Sequence, residues 1–312
     1  MKYILIVVIA VLLIGGGVYY FISKDGANTY NKENTEINHV STSTVSTTTE
    51  KTVVATSTNN VTIPRGPESV IGKSASGNDI KAYHFGKGKT ELMFIGGIHG
   101  GYSANTSLVA FEMIDLLKKN PSIVPENLTV TIIPIMNPDG LKKVTGTTDR
   151  FTTEQINKSS EVQITGRFNG TGVDLNRNFD CEWQSVGTWQ NREVSGGKSV
   201  FSEPESQAIR DYVTKNNPKG IVTWYSAEGS VYPSACKGEI MPETSELANL
   251  YAEAAKYKSE KEFDHYALTG DMVNWFASKK IPAISVLLTT HDQSEWEKNQ
   301  AGVEAIIKHY TE

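Results

Sequence analysis

Beyond residue 63 the chain alternates between short β-branched apolar runs and longer segments whose apolar residues recur every three or four positions. The runs are Leu92-Met93-Phe94-Ile95, Val130-Thr131-Ile132-Ile133, Ile221-Val222-Thr223-Trp224 and Ile284-Ser285-Val286-Leu287-Leu288. Each has the length and composition of a buried strand. Between them, Leu108, Phe111, Ile114 and Leu117 share roughly one helical face, with Asn105 as a candidate cap. Ser202-Glu203-Pro204-Glu205 reads as a capping box with proline in the first turn, and residues 244–258, 271–279 and 294–309 complete the helical set. Buried strands alternating with helices imply an α/β domain with a largely parallel or mixed sheet, covered on both faces. No internal repeat is visible.

The 312 residues include 38% hydrophobic residues, enough for a packed core, so wholesale disorder is excluded. A net charge of −5 argues against a partner bound through phosphate neutralisation, and no nucleic-acid partner is expected. Two cysteines rule out a disulfide-dense mini-scaffold and a four-cysteine zinc module. The average composition hides an asymmetry. Residues 3–22 form an uncharged apolar run whose helical length, about 30 Å, matches the hydrocarbon core of a bilayer. A cleaved signal sequence is the rival reading, opposed by bulky Tyr19, Tyr20 and Phe21 where small residues belong. Under either reading, residues 1–24 send the rest of the chain outside the cytoplasm, membrane-anchored or secreted. Twelve of the eighteen residues from 41 to 58 are Ser or Thr, so residues 25–62 read as a disordered linker. Residues 63–312 are then one domain, expected to be a monomer.

Five stretches across residues 90 to 290 carry a resemblance. They are Gly96-Gly97-Ile98-His99-Gly100-Gly101-Tyr102, Ile133-Pro134-Ile135-Met136-Asn137-Pro138-Asp139-Gly140 and Val173-Asp174-Leu175-Asn176-Arg177-Asn178-Phe179, then Phe201-Ser202-Glu203-Pro204-Glu205 and Tyr266-Ala267-Leu268-Thr269-Gly270-Asp271 with Trp275 beyond. In this order they resemble the zinc carboxypeptidase family, carboxypeptidase A type. The resemblance implies a mixed eight-stranded sheet sandwiched between helices. It also implies hydrolysis of C-terminal peptide bonds by a zinc held by two histidines and a glutamate, with a separate glutamate as base.

Carried over residue by residue, the metal half is altered. His99 matches the first ligand. The glutamate ligand falls at Ser103, the second histidine at Tyr225, and the base at Leu287, or at Leu288 if the alignment slips by one. Neither serine nor tyrosine is a usual zinc ligand, and an alkane transfers no proton. The expectation is therefore an inactive homologue with no cofactor. The alternative is an active zinc carboxypeptidase with displaced ligands, drawing on Glu228 and His291 beside His99. A third reading is a partner-binding surface domain with a vestigial cleft.

The binding half matches better. Asn176-Arg177 corresponds to the pair that holds the substrate's terminal carboxylate, since a guanidinium forks two charge-assisted hydrogen bonds onto a carboxylate. Arg167 corresponds to the arginine that polarises the scissile carbonyl, and Tyr266 to the tyrosine that closes over substrate. The implied ligands are peptide C-termini, cell-wall stem peptides among them. Asp139 and Asp174 either orient backbone and the old histidine ligand or serve as turn and cap residues. His84 and His265 are expected in packing or solvated roles. Cys181 and Cys236, in an exported domain, are expected to form a disulfide in preference to two buried thiols.

Overall fold

The structure, a computed structural model, describes residues 66–311. The apolar run 3–22 and the Ser/Thr-rich segment, with their anchor, signal and linker readings, lie outside the described residues. In chain order the elements are β1 (Glu68–Lys73), β2 (Asp79–Gly86), β3 (Thr90–Ile95), α1 (Ala104–Lys119), β4 (Leu128–Ile133), α2 (Pro138–Thr145) and α3 (Ser160–Thr165). There follow β5 (Val186–Trp189), β6 (Arg192–Ser195), α4 (Pro204–Asn216), β7 (Gly220–Ser226), β8 (Ser230–Pro233), α5 (Pro242–Ala255), β9 (Lys258–Ser259), α6 (Met272–Ser278), β10 (Ala283–Leu288) and α7 (Trp296–His309). Eight strands form a mixed sheet in the order β1-β2-β4-β3-β7-β10-β8-β9, and β5 and β6 form a separate hairpin. The expected eight-stranded mixed sheet is present. Its centre, β4, β3, β7 and β10, is parallel and coincides with the four apolar runs.

Alternation along these strands assigns each side chain to a face. Phe94, Val222, Trp224, Ile284, Val286 and Leu288 join Val130 and Ile132 in a core against α1, α5 and α7. Met93, Ile95, Ile133, Ile221 and Ala283 point the other way, onto α4 and α6. Burial on both faces explains why these strands read as nearly continuous apolar runs. Trp224 has no exposed surface, stacks 5.8 Å from Phe94 and donates its indole N–H to the Tyr251 hydroxyl at 2.9 Å. That bond meets the hydrogen-bonding demand of a buried indole.

Two helix starts differ from expectation. Asn105 does not cap α1; Ser103 holds that position, and the Asn105 amide instead donates to the Thr290 and Gln293 carbonyls while accepting from Ser226. The capping box at Ser202 does not form, because Glu203 takes the cap position of α4. The Glu205 carboxylate turns away to accept from the Ala75 amide and Asn169, so a tertiary contact displaces the local one.

The strand order reverses beside β3. β3 leads through α1 to β4 on one side, whereas the later β7 and β10 lie on the other. In open α/β sheets such a reversal leaves a crevice at the carboxyl ends of the strands. Here β3 runs directly into His99 and β7 ends on Tyr225 and Ser226.

Candidate functional site

A cleft of about 920 Å³ opens at that switch point, lined among others by His99, Tyr102, Arg167, Asn176, Tyr225, Tyr266, Leu287 and His291. Three glycines bring its wall together. A Cβ on Gly100, at φ +45°, would stand 2.6 Å from the Gly166 carbonyl and 2.8 Å from Gly140. The His-Gly-Gly turn, the Asn-Pro-Asp-Gly helix start and the residue before Arg167 therefore pack backbone on backbone. Asn137 caps α2 through the Gly140 amide and donates to the Arg167 carbonyl, which fixes that arginine's position.

His99 is 6% exposed, and neither ring nitrogen has a hydrogen-bond partner. The Asp174 carboxylate lies 3.9 Å from Nε2, too far for a hydrogen bond. Burial, assisted by the Arg167 guanidinium, holds the imidazole pKa well below its usual value, so it is neutral near pH 7. The unfolded chain then binds more protons than the folded one below about pH 6.5. Stability from keeping His99 neutral is complete above that pH and is lost as the pH falls. A urea-unfolding midpoint that declines from pH 7.5 to 5.5, and declines less in His99→Gln, is the expected outcome; identical pH slopes would sink it.

Ser103, Tyr225 and Leu287, the residues matched from the sequence to the remaining ligands and the base, do not have the side-chain chemistry of a zinc site of two histidines and a glutamate. Ser103 is buried with an unpartnered hydroxyl and does not line the cleft. Tyr225 does line it, but its hydroxyl donates to the Asn176 amide oxygen at 3.2 Å, and burial pushes its pKa well above 10. It is a neutral phenol, not a phenolate ligand. Register separates the two leucines matched to the base. Leu287 faces the cleft beside Tyr225, whereas Leu288 packs into the core on the opposite face. Among the described residues no three His, Cys, Asp or Glu side chains converge as a metal group. Glu228 is occupied elsewhere, accepting from Tyr232 at 2.6 Å and bonded to His265 at 3.1 Å. His291 lines the cleft edge-on to Tyr102.

The binding half is assembled differently from expectation. Arg167 is buried and gives Nε and Nη2 to one oxygen of Asp174, at 2.9 and 2.8 Å. The Trp189 ring lies 4.4 Å over its guanidinium, a cation–π contact supplied by the β5–β6 hairpin. Asp174 also caps the turn at Leu175–Arg177 through the Asn176 amide, and opposing arginine charge keeps its pKa low despite burial. Asn176 spends its side chain internally, donating to Asp271 and accepting from Tyr225 and the Met272 amide. Arg177 does not reach the cleft surface. It has no exposed area, and its N–H groups donate to the Thr188 carbonyl at 2.7 and 3.3 Å and to the Asn176 carbonyl at 2.8 Å. Tyr266 lines the cleft 5.7 Å from that guanidinium. Asp139 pins the β1–β2 turn through Ser74, Ser76 and Asn78. His84 is buried between Ser69 and Thr131, and His265 is exposed, with the Glu228 hydrogen bond raising its pKa.

The expected disulfide is present between Cys181 and Cys236, with Cα atoms 5.9 Å apart. It ties the loop after the Asn-Arg motif to the loop after β8, both on the cleft rim. Trp189 and Tyr232 escaped the sequence reading, because neither sits in a recognisable motif.

The profile of the zinc carboxypeptidase family matches residues 67–303. The chain belongs to the zinc carboxypeptidase family. Carboxypeptidase B of Helicoverpa zea is 31% identical over 156 residues, covering 48% of this chain and 35% of its own length. A Talaromyces marneffei protein named inactive metallocarboxypeptidase ecm14 is 24% identical over 220 residues, covering 62% of this chain and 36% of its own. The chain thus spans about a third of the length of these relatives. Murein-tripeptide amidase from Escherichia coli O157 aligns with a TM-score of 0.55 at 19% identity, over 78% of this chain and 92% of that one. Bovine thrombin-activatable fibrinolysis inhibitor, solved with tick carboxypeptidase inhibitor, gives 0.61 at 18%, over 78% and 90%. At these identities the two structures show a shared fold alone.

Proposed function

We propose that this chain is a non-hydrolysing member of the zinc carboxypeptidase family, a pseudoenzyme whose cleft binds the carboxylate ends of peptides, cell-wall stem peptides among them. One observation carries the reading. Around His99, the positions matched from the sequence to two ligands and a base hold a buried hydroxyl, a neutral phenol bonded to Asn176, and the alkane Leu287. A lone imidazole does not hold a catalytic zinc, so no zinc cofactor is assigned. One similar protein is itself named inactive, and another is named for murein tripeptide.

Carboxylate capture requires Arg177, buried behind the wall, to swing into the cleft and give up the Thr188 carbonyl for the ligand's two oxygens, a swap that trades a neutral acceptor for a charged one. Asn176 and Tyr266 flank that position, and Arg167, already paired, meets the ligand's carbonyl. The domain works outside the cytoplasm as a monomer, delivered by residues 1–24, which anchor it or are cleaved. The Cys181–Cys236 disulfide suits such a compartment.

The test is zinc content of the purified full chain, by elemental analysis after loading and dialysis. Far less than one zinc per chain is expected. One tightly held zinc would overturn the reading in favour of a displaced ligand set and call for hydrolysis assays. Peptides in free-acid and C-terminally amidated form then test carboxylate recognition without any variant: the free acid binds more tightly, and equal binding contradicts it.

A further inference from the structure

A hydrogen-bonded chain of side chains crosses the sheet away from the cleft. Its members sit on four neighbouring strands: Ser69 on β1, His84 on β2, Thr131 on β4 and Glu91 on β3. The register brings them onto one face. Ser69 pairs with Ala82, so His84 is its diagonal neighbour, and Thr131 lies directly opposite His84. Glu91 is two residues from Met93, the partner of Thr131 on β3. It is the second residue of that strand, whereas the cleft opens beyond the last, Ile95. None of the four lines the cleft.

The bonds run in one direction. Thr131 has a single hydroxyl hydrogen, which goes to the Glu91 carboxylate at 2.6 Å, and the Tyr212 hydroxyl donates to the same oxygen at 2.6 Å. Thr131 therefore receives the His84 Nδ1–H at 3.0 Å. That fixes the tautomer and leaves Nε2 as the acceptor for the Ser69 hydroxyl, 2.8 Å away. Serine, imidazole and an orienting group in hydrogen-bond series form the arrangement that activates a hydroxyl. Exposure falls along the chain in the order such a site needs: Ser69 is partly exposed, His84 is 8% exposed, and Thr131 has no exposed surface. β1 is also the end strand of the sheet. The His84 amide donates to the Pro67 carbonyl, and alternation from that bond turns the Val70 N–H, one residue after Ser69, toward the sheet's outer edge.

We propose that Ser69 is a nucleophile outside the cleft, acylated by small activated esters. Its oxygen attacks the ester carbonyl while its proton passes to His84 Nε2. The oxygen of the tetrahedral intermediate meets the Val70 N–H. The bond to the leaving oxygen then breaks, that oxygen takes the proton from His84, and an acyl ester on Ser69 remains. Thr131 and Glu91 are positioning residues, which hold the ring with Nδ1 protonated. The rim of a sheet gives no recess for a large acyl group, so the substrates are small and carry a good leaving group. This site is independent of peptide binding in the cleft.

The experiment treats the full chain with p-nitrophenyl acetate and locates acetylated serines by peptide mass mapping over time. Ser69 acquires an acetyl group about 100-fold faster than the exposed Ser76, the smaller end of what a positioned general base supplies. Ser69→Ala abolishes the fast phase of p-nitrophenol release. Thr131→Val, similar in shape, removes the acceptor for Nδ1 and loses the acceleration, whereas Thr131→Ser keeps the hydroxyl and restores it. Unfolding midpoints measured beside the rates separate that split from a loss of fold. The comparison of Ser69 with Ser76 in the wild-type chain needs no variant, and equal rates at the two overturn the proposal. An acceleration that survives Thr131→Val in a folded chain overturns the positioning role of Thr131 and Glu91.

Discussion

Asp174→Ala is expected to lower the free energy of unfolding by about 3–5 kcal/mol, because it strands a buried cation. Asp174 has no exposed surface, and Arg167, at 2% exposure, has no other carboxylate among the described residues within salt-bridge distance. Trp189 stacked at 4.4 Å supplies only a cation–π contact, worth about 2 kcal/mol when desolvated, and cannot replace the carboxylate. The same substitution uncaps the turn that carries Asn176 and Arg177. Urea unfolding at pH 7 measures the effect. Asp174→Asn, which keeps an acceptor and loses the charge, falls between wild type and alanine. A loss under about 1 kcal/mol for Asp174→Ala, the size expected of an exposed pair, would show that water reaches the arginine after all.

Cys181→Ser/Cys236→Ser carries the second large effect. The bridge spans 55 residues of sequence, and a closed loop of that size removes about 4 kcal/mol of unfolded-state entropy in the chain-entropy account, with 2–4 kcal/mol typical of measured cases. In a domain of this size, that corresponds to a melting temperature lower by roughly 10 °C. Calorimetry of the double variant, beside wild type with and without reductant, gives the answer. A melting temperature unchanged by both mutation and reduction would mean that the two loops are held by packing alone.

The parallel centre of the sheet was legible because each of its strands is buried on both faces and so reads as a continuous apolar run. The edge strands were not. β1, Glu-Ser-Val-Ile-Gly-Lys, alternates between exposed and half-buried positions, and β9 is two exposed residues. The β5–β6 hairpin carries only four residues per strand, with Gly187, Trp189 and Val194 turned inward. Such short polar segments take their conformation from what they cover. Helix starts failed for a related reason: Glu205 and Asn105 found partners distant in sequence that outcompeted the local cap.

Sequence by itself determined the class of the domain and the family, and it raised the expectation of a chemical misfit at Ser103, Tyr225 and Leu287. Those follow from residue identity and period, which are local and discrete. Only the tertiary structure decided which groups in the cleft remain open. It put Leu287, not Leu288, on the cleft face, drew Arg177 behind the wall onto Thr188, bound Arg167 to Asp174, and left His99 without a partner. Hydrogen-bond satisfaction is a property of three-dimensional neighbours, and a motif names a donor without saying whether a carbonyl from another strand has already claimed it.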